Sequence, residues 1–359
     1  MRTRHENIAE VNFTEFLGLS DERASNRIDN RFAYYGKNIW FDEGKIKSSP
    51  GHDPFLSTLG STPYRSLSKY KYTTGGVTTE YLAALNNKEW YIVDTENATR
   101  TALSAGLSND EETDAAQYMN TLYVVSPNEG GGKITDTSTY AAVASIPKGS
   151  MIEFAWEKMW ITGVLNNEAT VYGSRTATAS NPEYIEDFTT GTQTELVGKG
   201  GSNTAMRFLQ DTLYIFKSDS IHYIKPNVVD ATNIFYTPQP FSMTGGAVNQ
   251  KSTIVVENDI WFLDQSLQVR KLGLERDYLG DKRVNDVTKI IKGIMSNLAP
   301  DQKSTAVAHY SNRIFTLALA EKGSLVANII ITYNYDDGGW GIDRYPSVNQ
   351  WCTVNNNIG

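Results

Sequence analysis

The sequence contains a single cysteine, Cys352, among 359 residues. One thiol cannot form an internal disulfide, and it supplies only one of the ligands that a thiolate metal cluster needs. Long apolar runs are also missing, because no stretch reaches the roughly 18 consecutive apolar residues of a membrane-spanning helix and no apolar signal core follows the charged N-terminus. The composition therefore predicts a protein made in a reducing cytoplasm, without membrane insertion.

The sequence also has no excess of positive charge. The formal net charge is −8, the isoelectric point is near 5.2, and no long cluster of lysine and arginine offsets this acidity. Because such a chain repels a phosphate backbone, direct readout of nucleic acid is not expected. Aromatic residues, in contrast, are abundant: 20 tyrosines and 7 tryptophans suit short strands that pair aromatic side chains across a sheet.

A short pattern recurs seven times, consisting of a polar turn, one aliphatic residue and an aromatic residue that opens a β-rich run. Two copies fit loosely, since the first is one residue shorter and the second has Glu89 at the aliphatic position. Six intervals cover 275 residues, so the mean period is about 46, in the range of propeller blades. The aromatic positions are Trp40, Trp90, Tyr123, Trp160, Tyr214, Trp261 and Phe315.

Large apolar residues stand at successive positions in these runs, as in Tyr214, Ile215 and Phe216. Successive side chains of a strand point to opposite faces, so each sheet needs a neighbour on both sides. Sheets that stack radially into a closed ring meet this need. The sequence therefore predicts an all-β fold, a β-propeller of seven blades, with six as the alternative number.

This interpretation divides the chain into an N-terminal arm at 1–31, a propeller at 32–354 and a solvated tail at 355–359. Residues 348–354 are predicted to be a spare strand that pairs with the N-terminal sheet around Trp40 and so closes the ring. One short helical insertion is predicted within 274–300, between the sixth and seventh sheets, from apolar residues at helical spacing. These residues are Val284, Val287, Ile290, Ile291 and Ile294.

The sequence offers no catalytic, cofactor-binding or metal-binding residues. The four histidines lie far apart and outside any ligand motif, so surface or core positions are expected for His5, His52, His222 and His309. Cys352 has no adjacent histidine, and no nucleophile-elbow motif is present. The glycine clusters at 198–202 and 245–246 lack the spacing of a phosphate loop, which indicates tight turns before strands.

Two acidic patterns are weighed as turns rather than as sites. Residues 334–340 loosely resemble the Asp-box of sialidase-like propellers, but the segment is one residue short and occurs once, so a hairpin turn is the preferred interpretation. Calcium binding is considered for several carboxylates, but no EF-hand-like loop is present and solvated turns are expected instead. These carboxylates are Asp42, Glu43, Asp264, Asp336 and Asp337.

A further set of motifs follows in order along nearly the whole chain. The N-terminal part has Asn12, Phe13, Gly18, Leu19, Asp21, Glu22, Ala24, Asn26, Gly44, Lys45, Ile46, Pro50 and Gly51. The middle has Met159, Trp160, Ile161, Thr162, Gly163, Val171, Tyr172, Gly173, Ser174, Asn181, Pro182 and Phe188, then Leu213, Tyr214, Ile215, Phe216, Lys217 and Ile221. The last third has Gly246, Ala247, Val248, Ser252, Val256, Ile260, Asp264, Val269, Arg270, Lys271, Leu272, Tyr333, Asn334, Tyr335, Asp336 and Trp340.

Together these motifs resemble the β-propeller virion proteins of tailed bacteriophages, of the tail-hub, nozzle or head-to-tail neck type. Three departures are Lys158 where the blade pattern often has arginine, Leu267 with Gln268 in place of a glycine turn, and a short chain for a nozzle protein. The resemblance implies a structural, non-enzymatic subunit of the virion, assembled in the host cytoplasm. Its implied partners are tail, neck or portal subunits and further copies of itself in a ring.

Two other functions remain open at this point. The propeller could bind host glycans at the tail tip through exposed aromatic rings that stack on sugars. Less favoured is a sialidase-like glycoside hydrolase, which needs an arginine cluster and a tyrosine nucleophile with an acidic partner. The sequence does not indicate whether its arginines and tyrosines converge, so the binding residues stay unknown.

Overall fold

The computed structural model describes residues 19–20, 39–42, 45–48, 63–196, 201–228, 234–243, 245–273, 284–344 and 347–352. Within this part of the chain, the strands form six antiparallel sheets arranged in a ring. The fold is a six-bladed β-propeller, so the all-β prediction is confirmed and the smaller of the two predicted blade numbers is correct.

Five blades are four-stranded meanders in which each strand pairs with the next. Blade 1 has β3 (Tyr64–Thr74), β4 (Val77–Asn86), β5 (Glu89–Asp94) and β6 (Thr99–Gly106). Blade 2 has β7 (Asp114–Tyr118), β8 (Thr121–Ser126), β9 (Gly130–Ile134) and β10 (Tyr140–Val143). Blade 3 has β11 (Met151–Ala155), β12 (Lys158–Val164), β13 (Asn167–Gly173) and β14 (Thr192–Glu195).

The second half of the ring follows the same plan. Blade 4 has β15 (Asn203–Leu209), β16 (Thr212–Lys217), β17 (Ile221–Val228) and β18 (Ile234–Ser242). Blade 5 has β19 (Thr253–Val256), β20 (Asp259–Leu263), β21 (Val269–Leu272) and β22 (Val284–Asp286). Blade 6 has β23 (Val307–Ser311), β24 (Ile314–Leu319), β25 (Ile329–Asn334) and β26 (Trp340–Arg344), to which β1 (Ile39–Asp42) and β2 (Lys45–Ser48) are added.

The seven sequence repeats correspond to only six blades, because the two loose copies do not lie on the second strand of a blade as the other five do. Tyr123, Trp160, Tyr214, Trp261 and Phe315 all lie on the second strand of a blade, directly after a tight turn. In blade 1, however, Trp90 lies on the third strand. The first copy lies on β1, which pairs with β26 at the outer edge of blade 6. The prediction of seven blades was therefore wrong because the first and last copies share one sheet.

Tight two-residue turns explain why a polar pair precedes the aromatic residue. Both turn residues have positive φ at Gln210 and Asp211 in blade 4 and at Asn312 and Arg313 in blade 6. Two-residue hairpin turns with positive φ match the right-handed twist of the strands they join. The recurring motif is therefore a hairpin signal, and it marks the turn between the first and second strands in blades 2 to 6.

Apolar clusters fill the seams between neighbouring blades. In blade 4, Tyr214 and Phe216 pack toward blade 5, whereas Leu213 and Ile215 pack toward blade 3. The period-two alternation thus places large residues on both faces of the sheet, as predicted. At roughly 1.5–3 kcal/mol for each large apolar side chain buried, these seams are a main source of stability for the ring.

The ring closes differently from the prediction. The strand β1 occupies the free edge of β26 through the pair Ile39 and Ile342, so no edge is left there for another strand. Residues 347–352 are not a strand, and residues 353–354 lie outside the described residues. Instead, Val348 donates its backbone N–H to Ala327 in blade 6, at 2.9 Å, and Gln350 donates to the Arg65 carbonyl in blade 1, at 3.2 Å. The segment therefore connects the last blade to the first blade through single hydrogen bonds rather than through strand pairing.

The predicted helical insertion is shorter than expected and lies between blades 5 and 6. One α-helix, α1 (Lys292–Ser296), follows a 3-10 turn at Lys289–Ile291, and a second 3-10 turn spans Pro300–Thr305. Val284 belongs to β22 instead, because it pairs with Leu272 and completes blade 5. Residues 274–283 lie outside the described residues, as does most of the predicted arm at 1–31. Of that arm, Leu19 is buried and donates its N–H to the Trp340 carbonyl.

Further 3-10 structure occurs at Pro182–Glu186 in the connection between β13 and β14. Ile185 of this turn is buried against the seam between blades 2 and 3. No helix in the described part of the chain is long and apolar enough to span a bilayer.

Candidate functional site

A polar cavity lies where the innermost strands begin. The first strand of each of blades 2 to 5 contacts the first strand of the next blade, so these strands surround the ring axis. The cavity has a volume of about 390 Å³ and lies at the end where these strands start, which we call the channel mouth. Blades 2 to 5 and the connection to blade 6 contribute, with Thr113, Asp114, Met151, Asn203, Gln250 and Ser304 among the lining residues.

A side-chain bridge spans the channel at the mouth. Gln250, which precedes β19 of blade 5, donates from Nε2 to Asp114 Oδ2 of blade 2, at 2.9 Å. The same carboxylate oxygen accepts the backbone N–H of Ile152 in blade 3, at 3.0 Å, and Gln250 Oε1 accepts the N–H of Met206 in blade 4, at 2.8 Å. Two side chains therefore connect four blades around the axis.

An arginine and a second carboxylate extend this bridge. Arg207 on β15 donates from Nε to the Thr253 carbonyl, at 2.8 Å, and from Nη2 to the Gln250 carbonyl, at 2.9 Å. Its Nη1 lies 3.9 Å from an oxygen of Glu153 on β11. The innermost strands have free edges, and these side chains satisfy backbone groups that would otherwise lack partners.

Burial shifts the titration of both carboxyl groups. Desolvation raises the pKa of Asp114, against the opposing effects of Arg207 and the hydrogen bonds it accepts. Desolvation raises the pKa of Glu153 to about 7; Arg207 opposes this shift, whereas the neighbouring Asp114 adds to it. The channel therefore holds two coupled acidic groups that favour the protonated state more than free carboxyls do.

Two polar atoms at the mouth lack a hydrogen-bond partner. Thr113 is 8% exposed and Asn203 is 4% exposed, and the partnerless atoms are Thr113 Oγ1 and Asn203 Oδ1. Buried polar atoms are normally paired, since leaving one unpaired costs about 1–3 kcal/mol. Thr113 and Asn203 both line the cavity, whereas the two partnerless atoms themselves are buried behind its surface.

The opposite end of the propeller, which we call the hairpin face, carries the turns between first and second strands and between third and fourth strands. The strands β3 and β4 are 11 and 10 residues long, and β17 and β18 are 8 and 9 residues long. Most other strands have four to seven residues. Because antiparallel strands alternate in direction, the tips of both long hairpins lie on this one face.

Apolar side chains are exposed at the tips of these hairpins. In the hairpin β17–β18, Val228 is 61% exposed, Ile234 is 41% exposed and Phe235 is 54% exposed, and we call these three residues the tip patch. At the β3–β4 hairpin and the adjacent turn of blade 2, Val77 and Met119 are 66% and 67% exposed. The hairpin face therefore presents apolar side chains on two opposite sides of the ring.

Side chains of neighbouring blades hold both hairpins. The exposed edge of β3 is capped by Gln117, whose side chain accepts from the Lys71 N–H and donates to the Lys71 carbonyl. In the same way, Asn120 pairs with the N–H and carbonyl of Thr73. These amide side chains imitate the backbone of a neighbouring strand, so the hairpin edge is blocked and ordered.

An aromatic cluster holds the base of the second hairpin. Tyr236 on β18 has its ring centroid 5.3 Å from that of Trp160 and 5.6 Å from that of Trp156, both in blade 3. Phe208 completes the cluster at 5.3 Å from Trp156. Such pairs each contribute about 0.5–1.5 kcal/mol beyond the area they bury. The tip patch therefore sits on a rigid base.

Tyrosine–glutamate pairs occur at the seams on the hairpin face. Tyr118 donates to Glu157 at 2.5 Å, and Tyr310 donates to Glu257. Burial, with the glutamate adding to it, raises the pKa of Tyr118 to about 12 and also raises the pKa of Tyr310. In each pair the tyrosine and the glutamate belong to neighbouring blades, so the hydrogen bond joins the two blades.

The histidines and the cysteine do not converge in the described residues. His222 is buried beside Ser220, and His309 stacks on Trp351 with ring centroids 6.1 Å apart; burial lowers the pKa of both. Burial raises the pKa of Cys352 to about 11. His5 and His52 lie outside the described residues. In the part of the chain that the structure describes, no three His, Cys, Asp or Glu side chains form a potential metal site.

The acidic and glycine-rich patterns are turns. Residues 334–340 form the β25–β26 hairpin, in which the Asn334 N–H donates to the Gly339 carbonyl and Gly338 has φ +70°, so that prediction is confirmed. Asp336 pairs with Arg313, and Asp337 accepts from Asn334 at 2.9 Å. Gly201 has positive φ in a bend two residues before β15, as predicted. Gly245 also has positive φ, but it is not in an assigned turn and lies eight residues before β19; residues 198–200 lie outside the described residues.

Asp264 departs from the expected solvated turn, because it is only 5% exposed. Its Oδ1 accepts from the backbone N–H groups of Ser266 and Gln268, and its Oδ2 accepts from Arg270 at 2.7 Å. The carboxylate thus has partners from its own turn. The side chains of Asp42 and Glu43 lie outside the described residues.

Sequence reasoning missed the channel network. Its signal is weak but present: Glu153 and Arg207 are charged residues within short strands that are otherwise apolar. A charge in such a strand indicates a partner on a neighbouring strand. Which residue is that partner depends on the ring topology, because the partners lie far apart in sequence.

Comparisons with known proteins give little beyond this geometry. No family model matches the chain, and no curated protein matches it. Among solved structures, the computationally designed Ika8 protein matches with a TM-score of 0.43 and 10% sequence identity, over 90% of this chain and 89% of that chain.

Proposed function

We propose that the chain is a structural subunit of a bacteriophage tail or neck and acts through protein–protein contacts rather than catalysis. The observation that carries this proposal is the hairpin face, where a rigid propeller projects two long hairpins with exposed apolar tips. The motif resemblance to phage propeller proteins supplies the virion context. On this proposal the protein assembles in the host cytoplasm and functions in the virion.

The tip patch supports a protein partner. Single exposed apolar residues are common, but three large ones are exposed at this one hairpin tip. Val228 and Ile234 pair on one face of the hairpin, and the neighbouring Phe235 points to the other face. Phe235 is the strongest candidate anchor because aromatic residues dominate binding energy at interface centres. The aromatic contacts of Tyr236 hold the hairpin beside this tip, which lowers the entropy cost of binding.

The structure of the channel favours a role as a scaffold rather than a role as a conduit. Gln250 and Asp114 join opposite blades across the axis, so an object as wide as a nucleic acid duplex does not pass through one propeller. Symmetric assemblies repeat one interface on every protomer, so a modest hairpin contact is multiplied around a ring of subunits. The partners on this proposal are tail, neck or portal subunits and further copies of the chain.

A glycoside hydrolase is a weaker proposal. In the described residues, Arg65, Arg175, Arg270 and Arg344 lie on four different blades, and each contacts a different side chain, namely Asp110, Tyr184, Asp264 and Glu321. Glycan binding without turnover is the second candidate, and the exposed ring of Phe235 is the feature that favours it.

Electron microscopy of the purified protein, together with co-purification from infected cells, tests the assembly proposal. We expect rings or stacked oligomers and recovery in fixed stoichiometry with tail, neck or portal proteins. A monodisperse monomer that recovers no virion protein would contradict it. Turnover of a chromogenic glycoside would favour the hydrolase instead.

A further inference from the structure

We propose that the propeller opens at the seam between blades 6 and 1, and that residues 347–352 are a releasable latch that holds this seam closed. We call these residues the latch segment. The inference does not depend on the assembly role, because it concerns contacts within one chain. It rests on the separation of the inner strands at this seam, on the apolar clusters of the described residues and on the weak attachment of the latch segment.

The inner strands show a break in the propeller ring. From blade 1 to blade 6, the first strand of each blade lies beside the first strand of the next blade. The strands β23 and β3, which would complete the circle, do not lie side by side in this way. At the seam between blades 5 and 6, in contrast, the Ala308 N–H donates to the Lys251 carbonyl at 2.8 Å. The inner strands are therefore separated at one seam, between blades 6 and 1.

The apolar clusters show the same break. Each of the other five seams is filled by a cluster with buried members from both neighbouring blades. On the face of blade 6 turned away from blade 5, the buried members are Ala318, Ala327 and Ile330, and Val348 and Trp351 of the latch segment pack on them. Among the described residues, no apolar cluster joins blade 6 directly to blade 1. Because buried apolar surface holds the other seams together, this seam is the weakest of the six.

The latch segment is attached by few contacts. The Val348 N–H donates to a carbonyl of blade 6 at 2.9 Å, and Gln350 donates across the seam to a carbonyl of blade 1 at 3.2 Å. Trp351 stacks on His309 with an interplanar angle of 12°, but its Nε1 is buried without a hydrogen-bond partner. None of the six residues is fully buried. Segments with few buried apolar contacts open locally at a much lower free energy than the whole fold.

Release of the latch segment frees one side of blade 1. The blade then stays joined to the ring through its apolar cluster with blade 2. Blade 1 also carries the long β3–β4 hairpin, whose tip residue Val77 is exposed on the hairpin face. The latch segment therefore controls the position of this hairpin relative to blade 6.

Hydrogen exchange of the full chain tests the release of the latch segment. The Val348 amide reports on this segment, and the Ala308 amide, which donates across the seam between blades 5 and 6, is the matched comparison. We expect the Val348 amide to exchange roughly 100-fold faster than the Ala308 amide, after correction for their intrinsic rates.

Two aromatic variants show whether the release is local. Trp351→Ala removes the stack on His309 and should speed exchange of the Val348 amide by roughly tenfold, without changing the Ala308 amide. Phe208→Ala removes an aromatic side chain from the seam between blades 3 and 4 and is the control. It should leave the exchange of the Val348 amide unchanged.

A truncated variant that ends before the latch segment tests the opening itself. One pair of spin labels, at Lys88→Cys and Leu325→Cys, spans the seam between blades 6 and 1, and a second pair, at Leu165→Cys and Asp219→Cys, spans the seam between blades 3 and 4. All four positions are exposed in turns at the mouth end, and the complete chain for comparison carries serine in place of its native cysteine. We expect truncation to lengthen and broaden the first distance distribution and to leave the second unchanged.

Two results would overturn the inference. One is a Val348 amide that is protected as strongly as the Ala308 amide. The other is a label distance across the seam between blades 6 and 1 that truncation leaves unchanged, since the propeller ring then stays closed without the latch segment. Both measurements concern contacts within one chain, so either failure leaves the assembly proposal standing.

Discussion

The two ends of the propeller differ in how they use their side chains. At the channel mouth, polar residues such as Asp114, Arg207 and Gln250 are turned inward and joined across several blades. At the hairpin face, Val228 and Phe235 project into solvent with no role in the ring. The contrast teaches that the buried polar network and the exposed apolar side chains are separated along the axis, so each can be changed without disturbing the other.

The largest expected effect is the loss of the channel arginine. Arg207→Ala removes three hydrogen bonds to backbone carbonyls and leaves Glu153 and Asp114 without a nearby cation. Breaking a buried charged network by removing one partner costs about 3–5 kcal/mol. Chemical denaturation should show a decrease in unfolding free energy of that order.

Arg100→Ala is the matched control, because Arg100 lies on the outer strand β6 and only covers the Tyr91 ring, 5.7 Å from its centroid. We expect it to cost less than about 1 kcal/mol. Equal effects of the two variants would show that the channel network contributes nothing special to stability.

The second effect is a pH dependence of folding stability that arises from the carboxyl groups in the channel. Because the folded-state pKa of Glu153 is raised to about 7, the folded protein binds more protons than the unfolded chain between roughly pH 4.5 and 7. This contribution is fully present below pH 4.5 and is lost as the pH rises through 7. A quarter of the Glu153 side chain is exposed, so we expect a loss of roughly 1–2 kcal/mol.

Thermal unfolding from pH 4.5 to 8 measures this slope. Glu153→Gln should flatten it, because the glutamine stays neutral, while part of the slope remains through Asp114. An unchanged slope in the variant would assign the pH dependence to other groups.

The third effect is local and lies near the tip of the β3–β4 hairpin. Gln117→Ala removes the side chain that caps both backbone groups of Lys71. The bonds are exposed, so the cost should be about 0.5–1 kcal/mol. Hydrogen exchange should show faster exchange of the Lys71 amide with little change elsewhere. Gln239→Ala, on the exposed strand β18, should leave that amide unaffected.

The fold was largely predictable because its signals are local. Paired polar residues such as Asn312 and Arg313 mark two-residue turns, and runs such as Leu213 to Phe216 show apolar residues on both faces. The blade number was not predictable from the repeats alone. Trp40 and Phe315 share a sheet through the pairing of β1 with β26, and that long-range pairing leaves no mark in the local pattern.

The two candidate sites were harder to predict. Asp114, Glu153 and Gln250 meet only because the ring brings distant strand ends to one axis. Ile234 and Phe235 resemble core residues of a strand, since the sequence does not reveal that the hairpin extends beyond its neighbours. Whether these side chains are exposed depends on the length of their strands relative to the neighbouring strands, which is a property of the assembled fold.

The central claim is that the hairpin face mediates assembly, and a comparison of two double variants tests it most directly. Val228→Ser with Phe235→Ser changes the tip patch, whereas Leu165→Ser with Leu325→Ser changes equally exposed apolar residues in the turns at the mouth end. Both should keep their unfolding free energy within about 0.5 kcal/mol. Analytical ultracentrifugation should show the oligomer lost only in the tip variant. Oligomers that survive in the tip variant but dissociate in the mouth variant would contradict the account.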